Sequence, residues 1–338
     1  MRPSEDKLLV AAVEATFGAK GFGNNMAKVL ITGISGFIGS SLARGLLAEG
    51  ATVRGVDNLS TGNLANLEEI RSQIDFRQDD ILDSAAMDAA CTGVDYVFHL
   101  AAIPSVPKSV VDPVGTNGPN LTGTLTVLEA ARQAGVKRLM YAASSAAYGD
   151  NPALPKTEAM LPEPISPYAV QKVAGEHYLA SYTRVYGLET VALRYFNIFG
   201  PRQDPTSQYS GVLARFISLM CKGETPTVFG DGSTSRDFTY IDNVVNANMM
   251  VAKTTAPVAG KVFNVATGQR ITLVQAYEEI KRITGYAGSL DFKPEREGDI
   301  KHSLADISLA ESVFGYRVVA GFSEGLEKTI AYYQQTAS

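Results

Sequence analysis

The sequence predicts an α/β protein: a doubly wound parallel sheet with a second, smaller α+β part. From residue 28, apolar strand-like runs alternate with helical periodicity, which is typical of a parallel sheet with helices on both faces. Glycines mark the first junction between a strand and a helix, in "ITGISGFIGS". Beyond residue 200 the pattern changes to a loop-like stretch, "GPRQDPTSQYSG", and to shorter elements.

The elements of the predicted sheet follow one another before residue 200. The strands are "KVLIT", "TVRGVD", "IDFRQDD", "DYVFHLAA", "RLMYAAS" and "TVALRYFNIFG". Helices lie between them, including one after the glycines, one over 120–134 and one that contains Tyr168. Ligands bind at the carboxyl ends of the strands in this architecture, so the residues just past each strand are candidate site residues.

Shorter elements are predicted in the second half of the chain. Helices over 211–222, 241–254 and 272–284 alternate with the strands "PTVFG", "KVFNVAT" and "LDFKP". The predicted division is an N-terminal extension (1–25), a sheet domain (26–195) to which the chain returns near 236–264 and 300–316, and a smaller ligand domain mainly within 196–338.

Composition excludes several classes of function. The 338-residue chain is 45% hydrophobic, with a net charge of -5 and no basic block, which argues against a nucleic-acid partner. Two cysteines and three scattered histidines lack metal-ligand spacing, so we predict no metal site and a reducing, cytoplasmic location. The apolar run "LLVAAV" near the N-terminus is too short to cross a bilayer, so no membrane partner is expected.

A dinucleotide site is predicted at the first strand–helix junction. Gly33, Gly36 and Gly39 would allow a tight turn and the close approach of a pyrophosphate to the helix N-terminus, as in Rossmann-like folds. Asp57 ends the second strand, where a carboxylate can accept both ribose hydroxyls, and it favours NAD over NADP. "DDI" at 79–81 and "HLAA" at 99–102 end the next two strands, and His99 is expected to be a core residue.

The stretch "SPYAVQK" (166–172) predicts the start of a helix with chemistry on one face. Ser166 can cap this helix and Pro167 can occupy its first position. Tyr168 and Lys172 then lie one turn apart, and a nearby ammonium would lower the phenol's pKa well below its usual ~10. The alternative is an ordinary surface tyrosine and lysine on an amphipathic helix.

With these motifs the chain resembles the extended short-chain dehydrogenases/reductases, in the NAD-dependent nucleotide-sugar epimerase/dehydratase group. "YAASSAAYGD", "LRYFNIFGPRQ", "SRDFTYIDN" and "REGDIKHSLAD" carry the resemblance with the glycines, Asp57 and "SPYAVQK". Within this group, the chain most resembles bacterial UDP-N-acetylglucosamine 4-epimerases of the lipopolysaccharide O-antigen type. The resemblance implies that Tyr168 is the catalytic base, that Lys172 binds the nicotinamide ribose and lowers the pKa of Tyr168, and that Ser144 bonds the reacting sugar hydroxyl.

The resemblance also implies binding residues for NAD and for a UDP-sugar. The predicted cofactor-binding residues are Gly33, Gly36, Phe37, Ile38, Gly39, Asp57, Asn58, Asp80, Ile81, Leu100, Ala101, Ala102, Asn120, Tyr168, Lys172 and Tyr195. The predicted substrate-binding residues are Ser105, Ser144, Ser145, Asn197, Gln203, Gly211, Val212, Phe229, Arg236, Arg296, Asp299 and Ser303.

Particular roles follow for some of these residues. Arg236, Arg296 and Asp299 would hold the nucleotide diphosphate and ribose, and Asn197 a substrate phosphate. Phe229 would line the uracil pocket. In the acetylated group Gln203, Gly211 and Ser303 lie around the N-acetyl group. Related epimerases restricted to unacetylated sugars have a bulky tyrosine at the position of Ser303.

The predicted reaction is epimerisation at C4 through a transient 4-keto sugar. Resembling dehydratases and decarboxylases carry a glutamate where this chain has Ala146, so elimination of water would lack its acid. We predict interconversion of UDP-N-acetylglucosamine and UDP-N-acetylgalactosamine, with UDP-glucose as a further substrate. A UDP-glucuronate or UDP-N-acetylglucosaminuronate 4-epimerase, and a non-catalytic dinucleotide-sensing protein, are the alternatives.

The resemblance further implies a homodimer joined through the helix that contains Tyr168. Ala174, Tyr178, Leu179 and Tyr182 could supply an apolar stripe on that helix, or could belong to the core of one subunit.

Overall fold

A seven-stranded, wholly parallel sheet organises the structure, a computed structural model that describes residues 27–205, 211–295 and 301–336. The N-terminal extension and two predicted substrate residues, Arg296 and Asp299, lie outside the described residues. The strands, in spatial order, are β3 (Ile74–Arg77), β2 (Thr52–Val56), β1 (Lys28–Thr32), β4 (Tyr96–His99), β5 (Arg138–Ser144), β6 (Glu189–Tyr195) and β11 (Lys261–Val265). This order, with its reversal between β1 and β4, is that of a doubly wound sheet, as predicted.

Helices cover both faces of the sheet. They are α1 (Phe37–Ala48), α2 (Ser84–Cys91), α3 (Val106–Val111), α4 (Pro113–Asn117), α5 (Gly123–Gln133), α6 (Pro167–Tyr186), α7 (Val212–Cys221), α8 (Ile241–Lys253), α9 (Leu273–Thr284), α10 (Ser308–Phe314) and α11 (Phe322–Thr336). Three short strand pairs complete the described fold: β7 (Ile198–Phe199) with β10 (Thr239–Tyr240), β9 (Ser235–Arg236) with β12 (Ile271–Thr272), and β8 (Thr227–Phe229) with β13 (Asp291–Lys293).

The core has one large apolar cluster on each face of the sheet. Neighbouring residues of β1 belong to different clusters: Val29 and Ile31 pack in one, and Leu30 packs in the other. Side chains alternate in this way along any strand, and a sheet covered on both faces therefore buries every residue of its central strands. Leu179 and Tyr182, two members of the predicted interface stripe on α6, are buried in the second cluster and belong to the core.

The chain returns to the sheet after residue 196. β11 pairs with β6 in parallel, and α8 packs against α1 so closely that a Cβ at Gly45 would lie 2.7 Å from a methyl group of Val245. The division into two domains, with a return to the sheet near 236–264, stays a prediction. None of the helices in the described ranges is long and apolar enough to cross a bilayer.

Two predicted elements have different boundaries. The helix expected over 120–134 begins with a wide, π-type turn, Gly118–Thr122, before the regular helix α5. The strand expected over "TVALRYFNIFG" is interrupted after Tyr195, because Asn197 adopts a positive φ of 33° that a continuous strand does not permit. Local apolar runs reveal neither feature, so the sequence placed the start of the helix two residues too late and overestimated the length of the strand.

A buried ion pair fixes α6 to the sheet. Glu176 accepts two hydrogen bonds from Arg194 in β6, at 2.8 and 2.7 Å, and the two side chains are only 5% and 3% exposed. The Arg194 guanidinium also lies 4.6 Å from the centre of the Tyr148 ring. Each of these buried charges is unfavourable without the other. The ion pair therefore favours one position of α6 against β6.

We expect loss of either partner to destabilise the protein strongly. Glu176→Gln or Arg194→Met should lower the free energy of unfolding by about 3–5 kcal/mol, because the remaining charge stays buried and unpaired. The matched control is Glu327→Gln, which removes a partner of Arg282 from a pair whose side chains are both 57% exposed, and should cost far less stability. Urea denaturation measures both, and equal losses would contradict the prediction.

Candidate active site

The carboxyl ends of the central strands open into a cleft of about 910 Å³. This volume is near the upper end of the ~300–1,000 Å³ range of small-molecule and cofactor sites. Most predicted site residues line it: Gly33, Gly36, Phe37, Ile38, Gly39, Asp57, Asn58, Ile81, Leu100, Ala101, Ala102, Ser144, Ser145, Tyr168, Lys172, Tyr195, Asn197, Gln203, Arg236 and Ser303. The structure therefore brings the predicted cofactor and substrate residues into one continuous space.

The glycine turn between β1 and α1 is built for close approach. Gly33 has a φ of 73°, and a Cβ there would lie 2.8 Å from the backbone nitrogen of Ala101. A Cβ at Gly39 would lie 2.2 Å from the Gly33 carbonyl oxygen. Gly36 precedes α1 and no side chain caps the helix, so the backbone N–H groups of its first turn are open to an anionic group.

Asp57 is held rigidly at the end of β2. One carboxylate oxygen accepts a hydrogen bond from the Ser35 N–H at 2.9 Å, and the other accepts one from the Leu59 N–H at 2.8 Å. Burial raises the pKa of Asp57, and these backbone donors oppose the rise. Gly62 lies against it, because a Cβ there would be 2.8 Å from both carboxylate oxygens. The glycine turn and this carboxylate together fit the pyrophosphate and ribose of a dinucleotide.

The catalytic candidates meet where β5 and α6 converge on the cleft. Ser166 caps α6 by accepting a hydrogen bond from the Ala169 N–H at 3.2 Å, and Pro167 occupies the first position, as predicted. The N–H of Tyr168 donates to the Ser109 hydroxyl at 3.0 Å, which fixes the start of the helix from the other side. Ser144 ends β5 and accepts a hydrogen bond from the Ala146 N–H at 3.2 Å.

Lys172 is a buried cation, and its position corrects one expectation. Its ammonium donates to the Ala142 carbonyl at 2.8 Å and lies 6.0 Å from the centre of the Tyr168 ring. Burial lowers the pKa of Lys172 to about 8, against the opposing charge of Glu176. The pKa of Tyr168 is raised by burial, which outweighs a hydrogen bond with Ser144. The net pKa shift of Tyr168 in this structure is therefore upward, opposite to the direction predicted from the spacing.

Backbone pairing positions several of the predicted substrate residues in the cleft. Asn197 donates through its side-chain amide to the Asp237 carbonyl at 3.0 Å and accepts from the Thr239 N–H at 3.2 Å. Ser303 donates its N–H to the Ser235 carbonyl at 3.1 Å, beside Arg236. These bonds explain how residues from distant parts of the chain reach the same cleft as Ser144.

Some predicted residues do not line the cleft. Ser105 and Asn120 are buried and bond to backbone: Ser105 caps α3, and the Asn120 amide exchanges hydrogen bonds with the backbone of Ile103 at 2.7 and 3.2 Å. The carboxylate of Asp80 accepts a hydrogen bond from the Asn58 amide at 2.8 Å, while Asp79 and Ile81 line the cleft. Outside the cleft lining are also Gly211, Val212 and Phe229, and their assignment stays a prediction.

Sequence reasoning missed several cleft residues. Thr61 and Gly62 lie in the polar loop after Asp57, a position that the strand-end rule could have identified. Lys156 and His302 gave no signal, because they reach the cleft only through tertiary pairing: Lys156 bridges to Ala305, and His302 bonds the Ser235 hydroxyl at 2.8 Å. Across the described residues no group of three or more side chains is arranged to hold a metal ion.

The chain is similar to known proteins over almost its whole length. Residues 29–266 match the sequence profile of the family described as the NAD-dependent epimerase/dehydratase family. A UDP-glucose 4-epimerase from Mycolicibacterium smegmatis is 37% identical over 314 residues, which is 91% of this chain and 98% of that protein.

Two solved structures show the same architecture. A UDP-N-acetylglucosamine 4-epimerase from Methanobrevibacter ruminantium, in complex with UDP-N-acetylmuramic acid, matches with a TM-score of 0.88 and 38% identity, covering 92% of this chain and 99% of that chain. A UDP-glucuronic acid 4-epimerase from Bacillus cereus, in complex with UDP-glucuronic acid and NAD, matches with a TM-score of 0.83 and 31% identity, covering 91% and 99%. The predicted fold class is thereby confirmed.

The buried ammonium should leave a signature in the pH dependence of stability. The folded-state pKa of Lys172 is about 8, below the ordinary value of 10.5 for a lysine in water, so above pH 8 the folded state binds fewer protons than the unfolded state. Between these two values the free energy of unfolding of the wild type should rise relative to that of Lys172→Met, by up to about 3 kcal/mol. Lys222, which is exposed, gives the control variant Lys222→Met. Parallel urea curves at pH 7.5 to 10.5 measure the difference, and a flat difference would refute the burial of a titrating ammonium.

Proposed function

The chain belongs to the NAD-dependent epimerase/dehydratase family, and on that premise we propose that it interconverts UDP-N-acetylglucosamine and UDP-N-acetylgalactosamine. It is an isomerase of the UDP-sugar 4-epimerase group, and its cofactor is NAD. Relatives of this group act on UDP-glucose, UDP-glucuronate and UDP-N-acetylglucosamine, so the choice of sugar is the finer part of the proposal. UDP-glucose is included as a further substrate.

Ser303 is the observation that carries the choice of sugar. It lines the cleft that Ser144 and Tyr168 also line, and its side chain is small. A tyrosine at this place would fill the volume that an acetamido group at C2 requires. The similarity to a UDP-N-acetylglucosamine 4-epimerase over 92% of the chain supports the same choice.

We assign the chemistry to three residues of the cleft. Tyr168 would take the proton of the sugar's 4-hydroxyl and return it, and Ser144 would orient that hydroxyl by hydrogen bonding. Lys172 would bind the nicotinamide ribose and supply positive charge beside the phenolate. NAD, held by the glycine turn and Asp57, would supply the reversible hydride acceptor. Because burial raises the pKa of Tyr168, the positive charge that Lys172 places nearby would be needed for the phenol to act as a base.

Ala146 supports epimerisation over elimination. It lines the cleft where resembling dehydratases carry a glutamate, so the site offers no carboxylate there to protonate a leaving hydroxyl. Epimerisation needs oxidation at C4, rotation of the 4-keto sugar and reduction from the opposite face. None of these steps requires a further acid or base, and the cofactor is regenerated in each turnover.

Lys156 favours a second candidate, a UDP-glucuronate 4-epimerase. Lys156 lines the cleft although it is only 4% exposed, and its ammonium, which donates a hydrogen bond to the Asn151 carbonyl, would suit a C6 carboxylate. A neighbouring structure of 31% identity is such an enzyme in complex with UDP-glucuronic acid. The other alternative, a non-catalytic dinucleotide sensor, is disfavoured because Ser144, Tyr168 and Lys172 all face one cleft.

The proposal includes a homodimer and a cytoplasmic location. Val170 and Tyr178 on α6 are 51% and 39% exposed, and α3 and α4, which pack beside α6, expose Val110, Val111 and Val114. Such an apolar face suits a second copy of the chain. The cysteines Cys91 and Cys221 are unpaired, which suits a reducing compartment.

The decisive assay is proton NMR of the purified protein with UDP-N-acetylglucosamine and no added reductant. We expect the C4 epimer, UDP-N-acetylgalactosamine, to appear, and Tyr168→Phe to slow its formation by about 10²- to 10⁴-fold because the proton acceptor is lost. Parallel reactions contain UDP-glucose and UDP-glucuronate. Conversion of UDP-glucuronate alone would replace the proposed sugar with the second candidate, and no conversion of any UDP-sugar would overturn the function.

The size of the residue at position 303 should set the preference for an acetylated sugar. Ser303→Tyr should lower kcat/KM for UDP-N-acetylglucosamine at least ~10-fold relative to UDP-glucose, because the ring would occupy the space of the acetamido group. Ser312→Tyr places the same ring on the exposed face of α10 and is the control. Initial rates with both sugars measure the ratio, and an unchanged ratio in Ser303→Tyr would remove the basis of the sugar assignment.

A further inference from the structure

A buried tyrosine outside the predicted site lies directly beneath Lys172. The Lys172 ammonium is 4.7 Å from the centre of the Tyr141 ring, while it donates its hydrogen bond to the carbonyl of the next residue, Ala142. Tyr141 belongs to β5 and is 1% exposed, so the ring is a fixed part of the sheet. An ammonium within about 6 Å of a ring centre is attracted by the negative face of the ring.

The ring of Tyr141, and not its hydroxyl, contacts the Lys172 ammonium. The hydroxyl meets no partner with normal hydrogen-bond geometry among the described residues, an arrangement that costs stability. Its surroundings are nevertheless closely fitted, because a Cβ at Gly175 of α6 would lie only 2.5 Å from that oxygen. Gly175 thus lets the catalytic helix approach β5 until Lys172 reaches the ring.

A neutral imidazole also contacts the Tyr141 ring. His99 in β4 stacks on Tyr141 with ring centres 5.7 Å apart and an interplanar angle of 26°. Both ring nitrogens of His99 are bonded to threonine hydroxyls, Thr32 at 2.8 Å and Thr124 at 3.0 Å. Burial and the charge of Lys172 lower the pKa of His99 to about 3, so no second cation competes for the ring.

The other side chains near Lys172 compensate its buried charge less directly than the Tyr141 ring does. Glu176, one turn further along α6, favours the charged lysine but is committed to Arg194 by two hydrogen bonds. The Tyr168 ring is farther away, at 6.0 Å from the ammonium. The Ala142 carbonyl and the face of Tyr141 are therefore the nearest contacts that compensate the loss of water around this charge.

We propose that Tyr141 is a positioning residue: its ring face keeps the Lys172 ammonium charged and seated on the Ala142 carbonyl. The inference rests on the proposed function, in which Lys172 acts beside Tyr168. It predicts that the electron density of the ring, and not the hydroxyl or the shape of the side chain, controls the behaviour of Lys172.

The test is a fluorination series at position 141 in the full-length protein. Tyr141→Phe removes only the hydroxyl and should match the wild type, and 4-fluoro- and 3,4,5-trifluorophenylalanine then weaken the ring face at nearly constant shape. We expect the alkaline limb of the kcat/KM profile to move down by about one pH unit across the series. At pH 8.5 kcat should fall several-fold while KM for the UDP-sugar changes less than about two-fold, because the contact lies beneath Lys172 and not against the sugar.

Two controls separate this effect from a general disturbance of the core. The same amino acids at position 263 replace a buried ring that packs edge-on against Phe314, and they should leave the pH profile unchanged. An alkaline limb that stays constant across the series at position 141, while Lys172→Met is inactive, would overturn the inference and leave the proposed function intact.

A readout without substrate keeps the inference testable if the proposed function fails. The pH dependence of unfolding between pH 7.5 and 10.5 reports the protonation of Lys172 directly, and its midpoint should move down through the series by the same amount. A midpoint that does not move would overturn the inference whatever the enzyme's substrate is. Full activity of Lys172→Met would instead refute the catalytic role of the lysine.

Discussion

The geometry of the site depends on the burial of one ammonium, that of Lys172. Its side chain is 3% exposed, and loss of water lowers its pKa to about 8 although a carboxylate one turn away favours the charge. The Ala142 carbonyl and the Tyr141 ring accept this charge only if α6 lies close against β5. The missing side chain at Gly175 permits that approach, so the seat of the helix and the position of Tyr168 in the cleft follow from it.

A chain of buried polar contacts connects the same helix to Tyr148 and Lys156, which also line the cleft. Glu176 binds Arg194, whose guanidinium stacks on Tyr148, and the hydroxyl of that tyrosine donates to the side-chain oxygen of Asn264 in β11 at 2.7 Å. The amide of Asn264 in turn donates to the Lys156 carbonyl at 2.9 Å. Because each buried group is costly to leave unpaired, the catalytic helix and the segment that carries Lys156 hold one relative position.

Local signals predicted some of the residues that line the cleft and failed for others. The glycine turn, Asp57 and the cap at Ser166 each depend on a few consecutive residues whose backbone requirements can be recognised directly. Lys156 reaches the cleft through a bridge to a residue about 150 positions away, and no local pattern encodes such a contact. The pKa of Tyr168 was predicted in the wrong direction because spacing reveals neighbours on a helix but not their loss of water.

The predicted cofactor residue Asn120 shows how a residue can serve a site without lining it. Thr124 donates its only hydroxyl proton to the Asn120 carbonyl at 2.8 Å, so it must accept from His99, whose Nε2 therefore carries the proton. The Nδ1 of His99 then accepts from Thr32, beside the glycine turn. At the other end, the Asn120 amide donates to Gln171 in α6 at 2.8 Å. A directed hydrogen-bond chain thus joins the glycine turn to the residue preceding Lys172. The histidine at its centre is neutral, so it places no second positive charge beside the Lys172 ammonium.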